Sequence, residues 1–229
     1  RYNFGELLPA SLSGYVYSDV NDNGVKDSGE HGIAGVKLTL LDADGNRTAI
    51  TAITDEHGFY RFENLRPGAY GIAEDQPNGY YDGKDLAGTA GGTAHNPGDS
   101  ITGATLVPDQ KGTDYDFGEL LPASISGYVY SDLNENGVKD SGEQGIAGVK
   151  LTLLDRDGNR TPITVTTDAN GFYKFETLRP DVYGVAEDQP SGYYDGLDIA
   201  GSAGGAAHNP GDSITGATLT PGLNATDYD

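Results

Sequence analysis

The sequence predicts an all-β chain of two tandem antiparallel β-sandwich domains, and three observations lead there. YVYSD at 15–19 recurs at 128–132, and at that offset of 113 residues positions 2–116 align with 115–229 without a gap, most of them identical. Within each copy, short runs rich in Val, Ile, Thr, Tyr and Phe alternate apolar with polar and are separated by Gly, Pro, Asn and Asp. No window sustains the 3.6-residue periodicity of a helix.

The elements of the first copy follow in order. SGYVYSD (13–19) alternates and opens the unit as a strand. GVKLTLLD (35–42) is a strand with Val36, Leu38 and Leu40 on one face and Lys37 and Thr39 on the other. DADGN (42–46) marks a turn, TAITD (51–55) a strand, EHG a turn, FYRFENL (59–65) a strand, RPG a turn and AYGIAED (69–75) a strand. After PNGYYDG comes a Gly-rich stretch, LAGTAGGTAHNPGDS (86–100), then ITGATL (101–106) and a closing TDYDFGEL (113–120). About seven short strands per unit of roughly 110 residues fit a sandwich. The repeats imply a tail of a preceding unit plus linker at residues 1–11, one domain at 12–122 and a second at 123–229. ELLPASIS (119–126) joins them; it is short, partly apolar and carries a Pro, which suggests a semi-rigid joint rather than a flexible spacer. RYNFGEL opens in mid-pattern, so the sequence reads as an excised piece of a longer array.

The formal net charge of −21, with 14 Lys and Arg scattered along 229 residues, argues against nucleic acid, whose phosphates need clustered bases. No run of about 18 apolar residues is present, so no membrane insertion is expected of this fragment. The absence of Cys excludes disulfides, thiolate metal sites and Cys nucleophiles. Excess carboxylate suits solubility, and it also suits a hard cation such as Ca²⁺.

One loop gathers those acids in a defined order. DVNDNGVKDSGE (19–30) matches D-x-[DN]-x-[DN]-G-x₅-E, the ligand pattern of a twelve-residue calcium loop. Asp19, Asn21 and Asn23 take positions 1, 3 and 5, Gly24 makes the sharp turn at 6, and Val25 offers only its carbonyl at 7. Asp27 falls at 9 and Glu30 at 12, where a bidentate carboxylate belongs. DLNENGVKDSGE (132–143) repeats the set with Asp132, Asn134, Asn136, Val138, Asp140 and Glu143. No helices flank the loop and Lys26 stands at position 8, so the expectation is a structural staple, at least one Ca²⁺ per domain, rather than a regulatory switch. Two weaker oxygen clusters are candidates: Asp42, Asp44 and Asn46 with Asp55, which hairpin-turn chemistry explains equally well, and Asp82, Asp85, Asp99 and Asp114 around the Gly-rich stretch.

The run SGYVYSDVNDNGVKDSGEHGIAGVKLTLLDADGN…TDEHGFYRFENLRPGAYGIAE resembles the B-type repeats of serine-aspartate-repeat bacterial surface adhesins. The resemblance implies calcium-binding sandwich modules, Ig-like or prealbumin-like, outside the cell, on the bacterial surface or secreted. They would stack against neighbouring repeats of the same chain as a stalk, a host or surface ligand being taken by other regions. YGIAEDQPNGYY (70–81) is also similar to the collagen-adhesin B-type segment whose Glu promotes a Lys–Asn or Lys–Asp crosslink. By that likeness Glu74 and Glu187 hold the Glu position, but Tyr17 and Tyr130 stand where the Lys belongs, and Lys37 and Lys150 lie in a different strand.

Catalysis is not expected. Of four His, His31 and His57 become Gln144 and Asn170 in the second copy, and His95 and His208 sit in a turn-rich segment with no repeated nucleophile–base arrangement. Tyr80–Tyr81 and Tyr193–Tyr194 offer rings for sugar stacking, which keeps a carbohydrate- or protein-binding adhesive module as the alternative to a spacer.

Overall fold

The computed structural model describes residues 2–229, in two compact units divided between Leu121 and Pro122. All its regular elements are strands. Unit 1 contains β1 (Ala10–Ser18), β2 (Lys37–Leu41), β3 (Arg47–Ile53), β4 (Phe59–Leu65), β5 (Gly68–Glu74), β6 (Tyr81–Leu86), β7 (Thr93–His95), β8 (Ser100–Leu106), β9 (Lys111–Gly112) and β10 (Asp116–Leu120). One sheet has the order β3-β2-β5-β8-β7; the other runs β4-β1-β10-β6, with β9 also on β1. Unit 2 contains β11 (Ala123–Tyr128), β12 (Lys150–Leu154), β13 (Arg160–Thr166), β14 (Phe172–Leu178), β15 (Asp181–Glu187), β16 (Ala206–His208), β17 (Ser213–Leu219) and β18 (Asn224–Ala225). Its sheets are β13-β12-β15-β17-β16 and β14-β11-β18.

Alternation explains the layers. Val36, Leu38 and Leu40 point inward to meet Leu12, Val16, Phe62, Ile72, Ile101 and Phe117 from the other strands. Each such side chain, fully buried, contributes about 1.5–3 kcal/mol. Thr39 departs from the simple alternation: it lies on the outer face yet is buried, because Arg47 crosses over it and donates to its Oγ1 at 3.2 Å. The same guanidinium reaches Asp75 at 2.8 Å.

Most ladders are antiparallel, but two along β1 are parallel: Ser11 and Leu12 face Lys111 and Gly112, and Val16–Ser18 face Phe117–Glu119. The closing segment thus runs beside β1, broken at Asp114, where φ is +64°. The approach is close. A Cβ on Gly14 would stand 1.8 Å from the Tyr115 carbonyl oxygen, so only glycine fits there. Tyr60, fully buried, ties the same point down by donating to that carbonyl at 2.6 Å.

Two regions read from sequence as irregular carry strands, β6 in YYDGKDL and β7 in the Gly-rich stretch, each held by tertiary pairing to β10 and β8. Residues 2–9 form no strand and are exposed throughout, and β1 begins at Ala10.

Candidate metal centre

The loop at 19–30 leaves the buried end of β1. Asp19 is 0 % exposed and organises the turn by accepting from three backbone N–H groups: Asn21 and Asn23 on Oδ1 at 3.3 and 3.2 Å, and Gly24 on Oδ2 at 2.7 Å. Gly24 has φ of +76°, and a Cβ there would meet Lys84 Cβ at 3.0 Å, so conformation and space both demand glycine. The Asn21 and Asn23 carbonyl oxygens each accept from the backbone two residues on, at 3.1 and 2.7 Å. Their amide N–H₂ groups converge on Asp27 Oδ2 at 2.9 and 2.8 Å. Those amides hold the Asp27 carboxyl below its ordinary range.

Glu30 closes the ring. It is buried, and its two carboxylate oxygens accept from Val20 and Asp27 N–H, both at 2.9 Å. Lys26 turns back, donating to the Glu30 carbonyl at 3.1 Å with its ammonium 5.2 Å from the Tyr15 ring centre. The cation at position 8 is therefore engaged along the loop's flank. Val25 leaves its side chain half exposed.

Unit 2 repeats the arrangement. Asp132 accepts from Asn134, Asn136 and Gly137 N–H at 3.2, 3.3 and 2.8 Å. Asn134 and Asn136 both donate to Asp140 Oδ2 at 2.9 Å. Glu143 accepts from Leu133 and Asp140 N–H at 2.9 Å, and Lys139 caps its carbonyl at 3.1 Å. Val138 is half exposed, like Val25.

The loop therefore brings Asp19, Asn21, Asn23, Asp27 and Glu30 together, and their counterparts likewise. The donor set, carboxylates, amide oxygens and one main-chain carbonyl, is all hard oxygen and fits Ca²⁺ chemically. Among the described residues, no group of three or more His, Cys, Asp or Glu stands in metal-holding geometry. Hydrogen bonds between the amides and Asp27 tie the centre of the loop instead.

The weaker clusters resolve differently. Asp42 accepts from Asp44 and Asn46 N–H at 3.0 and 2.9 Å, and Asp55 from His57 and Phe59 N–H at 2.9 Å each. Each caps its own hairpin turn. Asp82, Asp85 and Asp99 do gather electrostatically, with two partners that sequence reasoning missed, Glu74 and Glu119; Asp114 stays apart, accepting from Thr113 Oγ1. The only signal for Glu119 was an acid inside the apolar run FGELL.

Glu74, Asp85 and Glu119 are buried, and among the described residues none of them pairs with Lys or Arg. Burial first, then neighbouring carboxylates, push Glu74 far above the carboxylate range and Asp85 up to about 9; burial also raises Glu119, which accepts from Gln76. In unit 2 burial raises Glu187 and Asp198 to about 7.

Tyr17, in the crosslink lysine's place, is fully buried with no hydrogen-bond partner for its hydroxyl. Lys37 and Lys150 pair with Asp75 and Asp188 in solvent, at 3.2 and 3.4 Å. His95 and His208 each share a hydrogen bond with a neighbouring-strand threonine, at 2.8 and 2.9 Å.

The model of the SdrD B-like domain family matches residues 10–120 and 123–228. The chain is 36% identical over 241 residues to a serine-aspartate repeat-containing protein F of Staphylococcus epidermidis, covering all of this chain and 13% of that protein. It is 35% identical over 184 residues to serine-aspartate repeat-containing protein D of Staphylococcus aureus strain Newman, covering 80% of this chain and 14% of that protein. The chain thus spans about a seventh or less of the curated relatives it matches. Among solved structures, the minor pilin GBS52 of Streptococcus agalactiae aligns with 94% of this chain and 92% of its own, at 13% identity and a TM-score of 0.40. These relatives place the chain outside the cell, at the bacterial surface or secreted. Two successive matches account for nearly every described residue, and the chain belongs to the SdrD B-like domain family.

Proposed function

We propose that the chain is a structural tandem repeat, a semi-rigid stalk or spacer segment of a large bacterial surface or secreted adhesin, in which Ca²⁺ stabilises each unit. The observation that carries this reading is the loop itself. In both units a buried Asp or half-buried counterpart at position 1 and a buried Glu at position 12 pin its ends, and every ligand position of a calcium loop is occupied. Asp19, Asn21, Asn23, the Val25 carbonyl, Asp27 and Glu30 would hold the ion in unit 1, with Asp132, Asn134, Asn136, Val138, Asp140 and Glu143 in unit 2. The ion would supply charge neutralisation for three carboxylates that otherwise repel one another.

The spacer role draws support from the short joint. β10 ends at Leu120 and β11 begins at Ala123, so only Leu121 and Pro122 lie between them, and proline fixes one φ. The partners are then neighbouring repeats, and no chemistry is asked of the module. Calorimetry in EDTA and in millimolar CaCl₂ tests the calcium reading. At tenfold excess over Kd each site adds about 1.4 kcal/mol. A higher melting temperature in calcium, absent with equal MgCl₂, is expected; identical curves in EDTA and calcium would overturn it.

A further inference from the structure

Near the ends of β5 and β10 the inward face of unit 1 turns from apolar to acidic. On β5, Ile72 is in the core, and Glu74, two residues on, shares its face and is 2 % exposed. On β10, Phe117 is in the core, and Glu119, again two residues on, is 0 % exposed. The register against β6 slips between them: Phe117 lies opposite Asp85 and Glu119 opposite Asp82, which are three residues apart. The slip turns both aspartates to the face that carries Phe117 and Glu119, and Asp85 is 6 % exposed.

The turn at 96–99 ties the two sheets together here. Asn96 bonds the Asp85 backbone twice, accepting at 2.7 Å and donating at 3.0 Å, and Gly98 N–H donates to Asp82 at 2.8 Å. Asp99, the next residue, is joined to the other sheet, its carbonyl accepting from Glu74 N–H at 2.9 Å. Glu74 and Asp99 therefore face Asp82, Asp85 and Glu119, near enough for the carboxylates to repel one another.

No side chain supplies the counter-charge. Neither Glu74 oxygen accepts a hydrogen bond, nor does Glu119 Oε1, while the other Glu119 oxygen accepts from the neutral Gln76 amide. Arg47 donates to the Glu74 main-chain carbonyl at 3.2 Å and to Asp75 at 2.8 Å, and among the described residues no Lys or Arg pairs with Glu74, Asp85 or Glu119. The second copy keeps the acids as Glu187, Asp195, Asp198 and Asp212, whereas Lys84, which lies between Asp82 and Asp85, becomes Leu197. Buried carboxylates with unused lone pairs and no cationic partner are the surroundings that a hard metal ion satisfies.

We propose that Glu74 from one sheet and Asp85 and Glu119 from the other hold an inter-sheet Ca²⁺ in unit 1, separate from the acidic loop, with Asp82 and Asp99 at its half-buried rim. The carboxylates face one another without standing in ligating geometry, so the ion would draw them together and clamp the sheets at this end. Burial favours Ca²⁺ over Mg²⁺, because Mg²⁺ keeps several of its waters, whereas Ca²⁺ takes carboxylates directly in irregular geometry.

Equilibrium dialysis of the full chain against millimolar CaCl₂ counts the ions. Glu74→Gln should bind one Ca²⁺ fewer than wild type. The loop-disabled chain Glu30→Gln/Glu143→Gln should still bind calcium, and adding Glu74→Gln to it should remove one ion more. Glu74→Gln should melt no lower than wild type in EDTA, since it relieves a crowd of buried carboxylates, yet gain less from calcium. Asp85→Asn should behave alike and serves as the second variant. Equal ion counts in wild type and both single variants, or a loop-disabled chain that binds no calcium, would overturn the inter-sheet site. Loop variants that bind as many ions as wild type while Glu74→Gln loses one would sink the loop reading and leave this one standing.

Discussion

Glu30→Gln separates what the loop's last carboxylate does as a hydrogen-bond acceptor from what it does as a ligand. In the structure both Glu30 oxygens are used, one by Val20 N–H and one by Asp27 N–H, at 2.9 Å each, in a residue 6 % exposed. Glutamine keeps one acceptor and turns an N–H₂ toward the other donor. One partly buried N–H is then left unsatisfied and a charge-assisted bond is lost, together about 1–3 kcal/mol. That cost is independent of calcium. If Glu30 also ligates the ion, the substitution removes the calcium-dependent increment, about 1.4 kcal/mol at tenfold excess over Kd. For a unit of this size 1 kcal/mol moves the melting temperature by about 4 °C. Calorimetry of wild type, Glu30→Gln and Glu143→Gln, each in EDTA and in calcium, should therefore show unit-specific losses in EDTA and a larger gap in calcium. A gap of the same size in both buffers would refute the ligand role of Glu30 while leaving its capping role intact.

Further outcomes follow from the same geometry. Asp85, raised to about 9 from 3.8, binds its proton more tightly folded than unfolded, so its contribution is greatest below about pH 4 and is lost as pH rises toward 9; buried Glu74 acts in the same direction. In EDTA the melting temperature of unit 1 should therefore rise between pH 8 and pH 5, and a fall over that range would refute the shared burial of these acids. Asp27, whose carboxyl is held low by Asn21 and Asn23, contributes in the opposite sense, its stabilisation fading as pH drops below about 4. Tyr60→Phe should cost about 1–3 kcal/mol by leaving the buried Tyr115 carbonyl without its donor, measured by urea titration; no change would mean that water reaches that carbonyl. Gly14→Val should prevent unit 1 from folding while unit 2 still melts cooperatively, because the Tyr115 backbone cannot retreat. Intact mass should equal that of the sequence, without loss of ammonia or water, since Lys37 and Lys150 sit in solvent against Asp75 and Asp188.

Much of the acidic loop was legible because its constraints are local. Asx-type bonds from Asp19 and Asn21 reach only two to five residues, and Gly24 is required by a single dihedral, so the spacing itself encodes the turn. The strands with clear alternation, such as GVKLTLLD and FYRFENL, were legible for the same reason. Thr39 was not, since its burial depends on Arg47 reaching across from the next strand.

By itself the sequence determined the doubling, the β character and the order of oxygen donors in each loop, because repeat spacing, side-chain alternation and turn chemistry act over a few residues. Only the tertiary structure decided where the closing FGEL strand lies, parallel to β1 and between it and β6. The ladder to β1 joins residues 101 positions apart, such as Val16 and Phe117, and nothing in either segment names the other. That placement brings Glu119 against Glu74, Asp82 and Asp85, buries Tyr17 and Asp19, and raises YYDGKDL into a strand.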